Sequence, residues 1–191
     1  MKKRCTFDDI DKQIIAELQR DGRIGLVELG KKIKLSHPGA GNRLKKLLAE
    51  DLVKVRADLN LRKLGMHLVA LGIEVDGVDR AMEFAKKFSL CPRTAFIAPM
   101  TGDYNLFMIL VCEEIRCLQH LIEKTIRPLG GVKRLSISFS STPFEPTYLP
   151  IKIPVEKGEI APCEKNCGKC EIFRAGLCIG CPATTNYRGR L

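Results

Sequence analysis

Five cysteines crowd the last stretch of the chain: Cys163, Cys167, Cys170, Cys178 and Cys181, spaced C-x3-C-x2-C-x7-C-x2-C. A C-x2-C pair lets two thiolates converge on one ion while the backbone turns, and two such pairs stand here in tandem. Tetrahedral zinc needs four ligands, for which Cys167, Cys170, Cys178 and Cys181 form the natural set. An iron-sulfur cluster also takes four thiolates. Cys163, Cys167, Cys170 and Cys181 would supply them, and Cys181 before Pro182 is a ferredoxin-type feature. Zinc, iron-sulfur, and unmetallated or redox-active thiols all stay open at this point. Gly168, Gly176 and Gly180 ease the turns, and the segment holds too few large apolar residues to fold without a staple. The remaining cysteines, Cys5, Cys91, Cys112 and Cys117, read as lying outside the site. Cys112 and Cys117 fall in elements of the expected core, where cysteine behaves as a small hydrophobe.

The 191 residues, 45% of them hydrophobic, suffice for one sizeable core or two small ones, and two compact units fit the pattern better. A net charge of +10 and a pI near 9.3 favour a polyanionic partner such as nucleic acid. No run of about eighteen apolar residues is present, and "MKKRCTFDD" turns acidic before a signal-peptide core could form. A soluble, cytoplasmic protein without a membrane partner is expected, and in a reducing cytosol clustered cysteines serve metals more often than disulfides.

Upstream of the cysteines, "FDDIDKQIIAELQR" sets Ile10, Ile14, Ile15 and Leu18 on one helical stripe, with Asp8, Asp9 and Asp11 at its positive end. Leu26, Leu29 and Ile33 mark a second short helix. Ser36 caps a third, with Pro38 in its first turn and Leu44, Leu47 and Leu48 facing inward. Three short helices with the tight "KLS" connection make a helix-turn-helix, and "DLVKVRADLN" suits a short strand or wing. On the third helix Ser36, His37 and Asn42 can meet base edges, while Arg43, Lys45 and Lys46 suit phosphate or guanine. Arg43 also suits an ion pair within the domain. Gly39, Ala40 and Gly41 would allow close approach to DNA.

From Met66 the period changes. "HLVALGIEV", "TAFIAP", "NLFMILVC" and "KRLSISFS" read as strands, "VDRAMEFAKKF" and "IRCLQHLIEKTI" as helices. The βαββαβ order predicts a ferredoxin-like sandwich of antiparallel sheet and two helices. Five prolines, Pro143, Pro146, Pro150, Pro154 and Pro162, then argue for an extended linker. The expected class is therefore α+β: a winged helix-turn-helix domain over 1–60, a ferredoxin-like domain over 61–142, a linker over 143–162 and a cysteine-rich metal-binding tail over 163–191.

The stretch "IDKQIIAELQRDGRIGLVELGKKIKLSHPGAGNRLKKLLAEDLVKV" resembles the Lrp/AsnC (feast/famine) family of regulators. The resemblance continues through "LGMHLVALGIEV", "MTGDYNLFMILVC" and "IRPLGGVKRLSISFS", about residues 6 to 142. It implies a non-enzymatic transcriptional regulator that binds double-stranded DNA as a dimer or higher even oligomer, reading half-sites a helical turn apart. It also implies an amino-acid effector at a turn that falls here on Thr101, Gly102, Asp103, Tyr104 and Asn105, with Asn105 where many relatives carry aspartate. The same five residues equally make a tight turn, with glycine at positive φ and Asp103 bonding local backbone, and a regulator without an effector fits that reading. Sirohaem decarboxylases share the two-domain architecture, but "PRTAFIAPMTGDYN" lacks the histidine of their equivalent segment, and His67 and His120 read as packing residues. A redox or interaction module without specific DNA binding is the third reading. The family pattern does not include the cysteine tail.

Overall fold

A computed structural model describes residues 6–140 and 148–190, which fall into two compact units divided between Ala57 and Asp58.

In the first unit, α1 (Asp9–Arg20) starts where Asp8 makes a reciprocal cap. The Asp8 carboxylate accepts from the Asp11 N–H at 2.8 Å, and the Asp11 carboxylate accepts from the Asp8 N–H at 3.3 Å. α2 (Leu26–Lys32) and α3 (His37–Ala49) follow, with Ser36 capping α3 by accepting from the Gly39 N–H at 3.2 Å. Ile14, Leu29, Ile33, Ala40 and Leu47 form the buried centre, each large aliphatic worth about 1.5–3 kcal/mol. The turn between α2 and α3 is tight because the Gly30 carbonyl accepts from the Leu35 N–H at 2.9 Å, and a Cβ at Gly30 would sit 2.8 Å from the Leu35 oxygen. The expected wing does not form as a strand within 51–58. Leu52 and Val53 instead pack on the helical core, and the first ladder residue is Leu59. A lone extended segment gains no ladder bonds without a partner beside it.

The second unit opens with β1 (Leu59–Asn60) and a single turn, α4 (Leu61–Leu64), capped by the Asn60 side chain accepting from the Lys63 N–H at 2.9 Å. Then come β2 (His67–Val75), α5 (Gly77–Ser89), β3 (Thr94–Pro99), β4 (Leu106–Cys112), α6 (Ile115–Leu121) and β5 (Val132–Ser140). The sheet order is β3-β4-β2-β5 with every neighbour antiparallel, which is the ferredoxin-like sandwich. Val69, Leu71, Ile73 and Val75 of β2 and Leu106, Met108, Leu110 and Cys112 of β4 alternate onto one face. Phe84, Phe88, Leu118 and Ile122 cover that face from the helices. α6 runs on into a π-helical turn, Ile122–Ile126, closed by the Arg127 N–H donating to the Ile122 carbonyl at 2.8 Å.

Of the proline-rich stretch, Pro143 and Pro146 lie outside the described residues. The part that follows is extended but packed: β6 (Tyr148–Leu149) pairs antiparallel with β1, and Ile151 is buried with Leu61, Met66 and Val111. The cysteine tail also belongs to this second unit. Its chain is tied to itself by bridges between Gly158 and Thr184 and between Ile160 and Asn166. It forms a 3-10 turn, Cys167–Lys169, and one helical turn, α7 (Glu171–Arg174). Phe173 is buried beneath the Arg188 guanidinium, 4.2 Å from its ring centroid. The tail is thus a folded layer against the sandwich rather than a detached appendage. Lys87 pairs with Glu164 at 2.7 Å, Tyr187 hydrogen-bonds Glu113, and the buried Arg93 donates to the Gly180 carbonyl at 2.7 Å.

Candidate functional site

Three groups of residues could carry function, one in the first unit and two in the second. In the first unit, Ser36, His37, Asn42, Lys45 and Lys46 are all exposed. Asn42 and Lys45 share the face of α3 opposite Ala40 and Leu47, with Lys46 at its flank. Lys46 stands 4.0 Å from Glu50, and Lys45 has no acidic partner among the described residues. Arg43 differs: its guanidinium pairs with Asp8 and, at 3.1 Å, with Asp11. The Asp8 carboxyl is held below its ordinary value by the Asp11 N–H and by Arg43. Arg43 therefore locks α3 to the capped start of α1. The small residues of α3 also serve packing: Ala40 is fully buried, and Gly41 faces Leu26. A period-3.6 reading that placed Ala40 opposite Asn42 would have shown this.

In the second unit, the turn between β3 and β4 brings Thr101, Gly102, Asp103, Tyr104 and Asn105 together, Gly102 taking φ 142 as a turn glycine should. The Asn105 side chain bonds the end of β2: the Val75 N–H donates to Oδ1 at 2.9 Å and Nδ2 donates to the Val75 carbonyl at 2.8 Å. An aspartate could do only the first, which accounts for asparagine at this position. Tyr104 lies against Gly72, and Arg134 of β5 stands 5.6 Å from its ring centroid while bonding Glu74.

The third group is the cysteines. Cys163, Cys167, Cys170, Cys178 and Cys181 line one cavity of about 580 Å³, and so does Cys117 of α6. Cys117 thus belongs with the tail and not only with the core, contrary to the expectation that it lies outside the site. It sits one residue before the core-facing Leu118, which turns it about a quarter of the way round the helix. Cys112 is buried in the sheet core as expected, burial pushing its thiol up to about 11, and Cys5 lies outside the described residues. All described cysteines are free thiols. The Cys117 and Cys178 thiols interact. The bond from Cys178, opposed by burial and helped by the Ile179 N–H, lowers Cys117 to about 7, while Cys178 is pushed up by the same contact and by burial. The Ile179 N–H donates to the Cys117 sulfur at 3.2 Å and the Gly180 N–H to the Cys178 sulfur at 3.4 Å. Burial raises Cys163, and raises Cys181 to about 11. Arg93 and His120 complete the wall. Among the described residues no three histidine, cysteine or carboxylate side chains converge closely enough to hold a single metal ion.

A three-helix unit with a capped second helix-turn-helix element, and a separate ferredoxin-like sandwich, define a helix-turn-helix regulator with an α/β companion domain. Residues 7–48 match the AsnC-type helix-turn-helix domain and residues 68–148 the Lrp/AsnC ligand binding domain. The HTH-type transcriptional regulator YezC of Bacillus subtilis (strain 168) is 32% identical over 144 residues, 74% of this chain and 100% of that protein. The leucine-responsive regulatory protein of Rhizobium meliloti (strain 1021) is 30% identical over 126 residues, 64% of this chain and 81% of that protein. The crystal structure of the transcriptional regulator NMB0573/L-Met complex from Neisseria meningitidis matches with a TM-score of 0.63 and 25% identity, covering 71% of this chain and 90% of that one. The chain belongs to the Lrp/AsnC family of transcriptional regulators. Its cysteine tail, from Cys163 on, lies beyond both matched domains. No helix among the described residues is long and apolar enough to cross a membrane.

Proposed function

We propose that this protein is a sequence-specific, cytoplasmic regulator of transcription that inserts α3 into the major groove of double-stranded DNA as part of a dimer or higher even oligomer. The observation that carries this reading is the outer face of α3, where Asn42 and Lys45 stand exposed behind the Ser36 cap while the opposite face fills the core. Ser36, His37 and Asn42 read base edges, and Lys45 and Lys46 neutralise phosphates. Arg43 acts at one remove, setting the angle of α3 through Asp8 and Asp11. The turn Thr101–Asn105 is the place for a small amino-acid effector, supported by the methionine complex of the Neisseria relative. The tail binds a metal ion or iron-sulfur cluster through Cys163, Cys167, Cys170, Cys178 and Cys181, and its occupancy modulates DNA binding or assembly. Selection of bound duplexes from a randomised library tests the reading: one enriched, two-fold symmetric sequence is expected, and retention without any enriched sequence overturns it.

A further inference from the structure

The six thiols around the tail cavity pose a question of occupant. A single zinc ion would draw four sulfurs to about 2.3 Å from one point, leaving them in mutual contact with no space between. The thiols here are arranged otherwise. Cys117 and Cys178 accept from the successive N–H groups of Ile179 and Gly180, and with four further thiols they line a cavity of about 580 Å³, no three of them converging on one point among the described residues. Space ringed by thiols suits an occupant with a body of its own. The charges agree. Arg93 is 9% exposed, faces this cavity and has no carboxylate partner among the described residues, only the Gly180 carbonyl. A buried guanidinium needs a counter-charge, and an iron-sulfur core held by four thiolates is an anion. Backbone N–H groups of Ile179 and Gly180 already point at the Cys117 and Cys178 sulfurs, the kind of bond by which a protein tunes such a cluster. The π-helical turn after α6 borders the same space through Lys124 and the buried Thr125.

We infer that the cavity is an iron-sulfur cluster site whose ligands include Cys117 of α6 together with tail cysteines, with Arg93 as its buried counter-ion. The inference rests on the reading that the tail binds metal, and it narrows that reading to one cofactor class and extends the site into the ligand-binding domain. Each ligating thiol gives up its proton on binding, and ferric together with ferrous iron and sulfide supply the oxidised core without any electron being taken from the protein.

The test uses the whole 191-residue chain, purified without oxygen and reconstituted with a mixture of ferric and ferrous iron and sodium sulfide. The expected result is iron and acid-labile sulfide in equal amounts, more than one of each per chain, with a broad visible absorption band. Cys117→Ser should lose at least half of that iron or shift the electron paramagnetic resonance signal of the reduced cluster, whereas Cys112→Ser, in the sheet core, should leave both unchanged. Arg93→Gln should shift the reduction potential to a more negative value, with Arg93→Lys restoring most of it, a readout that a purely structural role would not move. One tightly bound, colourless zinc per chain with no sulfide overturns the cluster while leaving a metal-binding tail. Uptake of neither overturns both. A full cluster in Cys117→Ser with an unaltered spectrum removes Cys117 from the ligands and overturns the site as stated. DNA selection, measured on the same preparations, stands or falls separately.

Discussion

Asn105 and Val75 exchange two hydrogen bonds, the Val75 N–H reaching Oδ1 at 2.9 Å and Nδ2 reaching the Val75 carbonyl at 2.8 Å. The side-chain amide imitates a ladder neighbour and ties the β3–β4 turn to the end of β2. Asn105→Asp keeps the acceptor but puts a carboxylate oxygen against the Val75 carbonyl. Loss of about 1–3 kcal/mol is expected, read as a lower denaturant midpoint with an unchanged slope. Wild-type stability in the variant would mean the pair is ornamental.

Arg43 and Asp8 make the first unit sensitive to acid. Asp8 titrates below its ordinary value near 3.8 in the folded chain, so its contribution is fully present above that value and is lost as pH falls through the lowered one. The thermal midpoint of the wild type should therefore drop across that acid window. In Arg43→Ala the drop should be shallower, because one of the two main causes of the shift is gone. Parallel midpoint-against-pH curves for the two proteins would contradict this.

Gly30 sits where the helix-turn-helix turn folds back on itself. A methyl group there would lie 2.8 Å from the Leu35 carbonyl oxygen, which belongs to the backbone and cannot swing aside. Gly30→Ala should cost about 1–3 kcal/mol despite alanine's better helix propensity. Circular dichroism during thermal unfolding would report it, and a stabilised variant would show that the turn is looser than the geometry states.

Arg93 fastens the tail. Removing its guanidinium leaves the buried Gly180 carbonyl without its donor, and Arg93→Ala should expose the tail to limited proteolysis ahead of the sheet. The measure is the order in which the two segments are cut, and a tail cut no sooner than in the wild type would place its anchorage elsewhere.

The sandwich was legible because its strands combine apolar alternation with turn residues at their ends. The expected spans 67–75 and 94–99 coincide with β2 and β3. The cap at Ser36 was legible for the same local reason, whereas Asp8 showed only as part of an acidic helix start and its reciprocal cap with Asp11 came with the structure. What escaped depends on partners far away in sequence. β1 and β6 have two residues each, too short to carry a pattern, and pair only because the chain returns across eighty-odd residues. The π-helical turn keeps helical spacing and differs only in which carbonyl each N–H reaches. Cys117 looked like core because Leu118 beside it is core, and its direction becomes visible only when the tail folds over α6. Arg93 stood in "CPRTAF" as an unremarkable cation at a strand entrance until its burial against the tail gave it a role.

The central claim is that α3 engages DNA through its exposed face, with Lys45 and Lys46 on phosphates and Arg43 engaged within the domain. The most direct measurement is the affinity for the selected duplex as a function of salt, for the wild type and for the Lys45→Ala/Lys46→Ala double variant. Two lost phosphate contacts should weaken binding at low salt and make the slope of log affinity against log salt shallower by about 1.8, at roughly 0.9 per contact. An unchanged affinity and slope in the double variant would contradict the account.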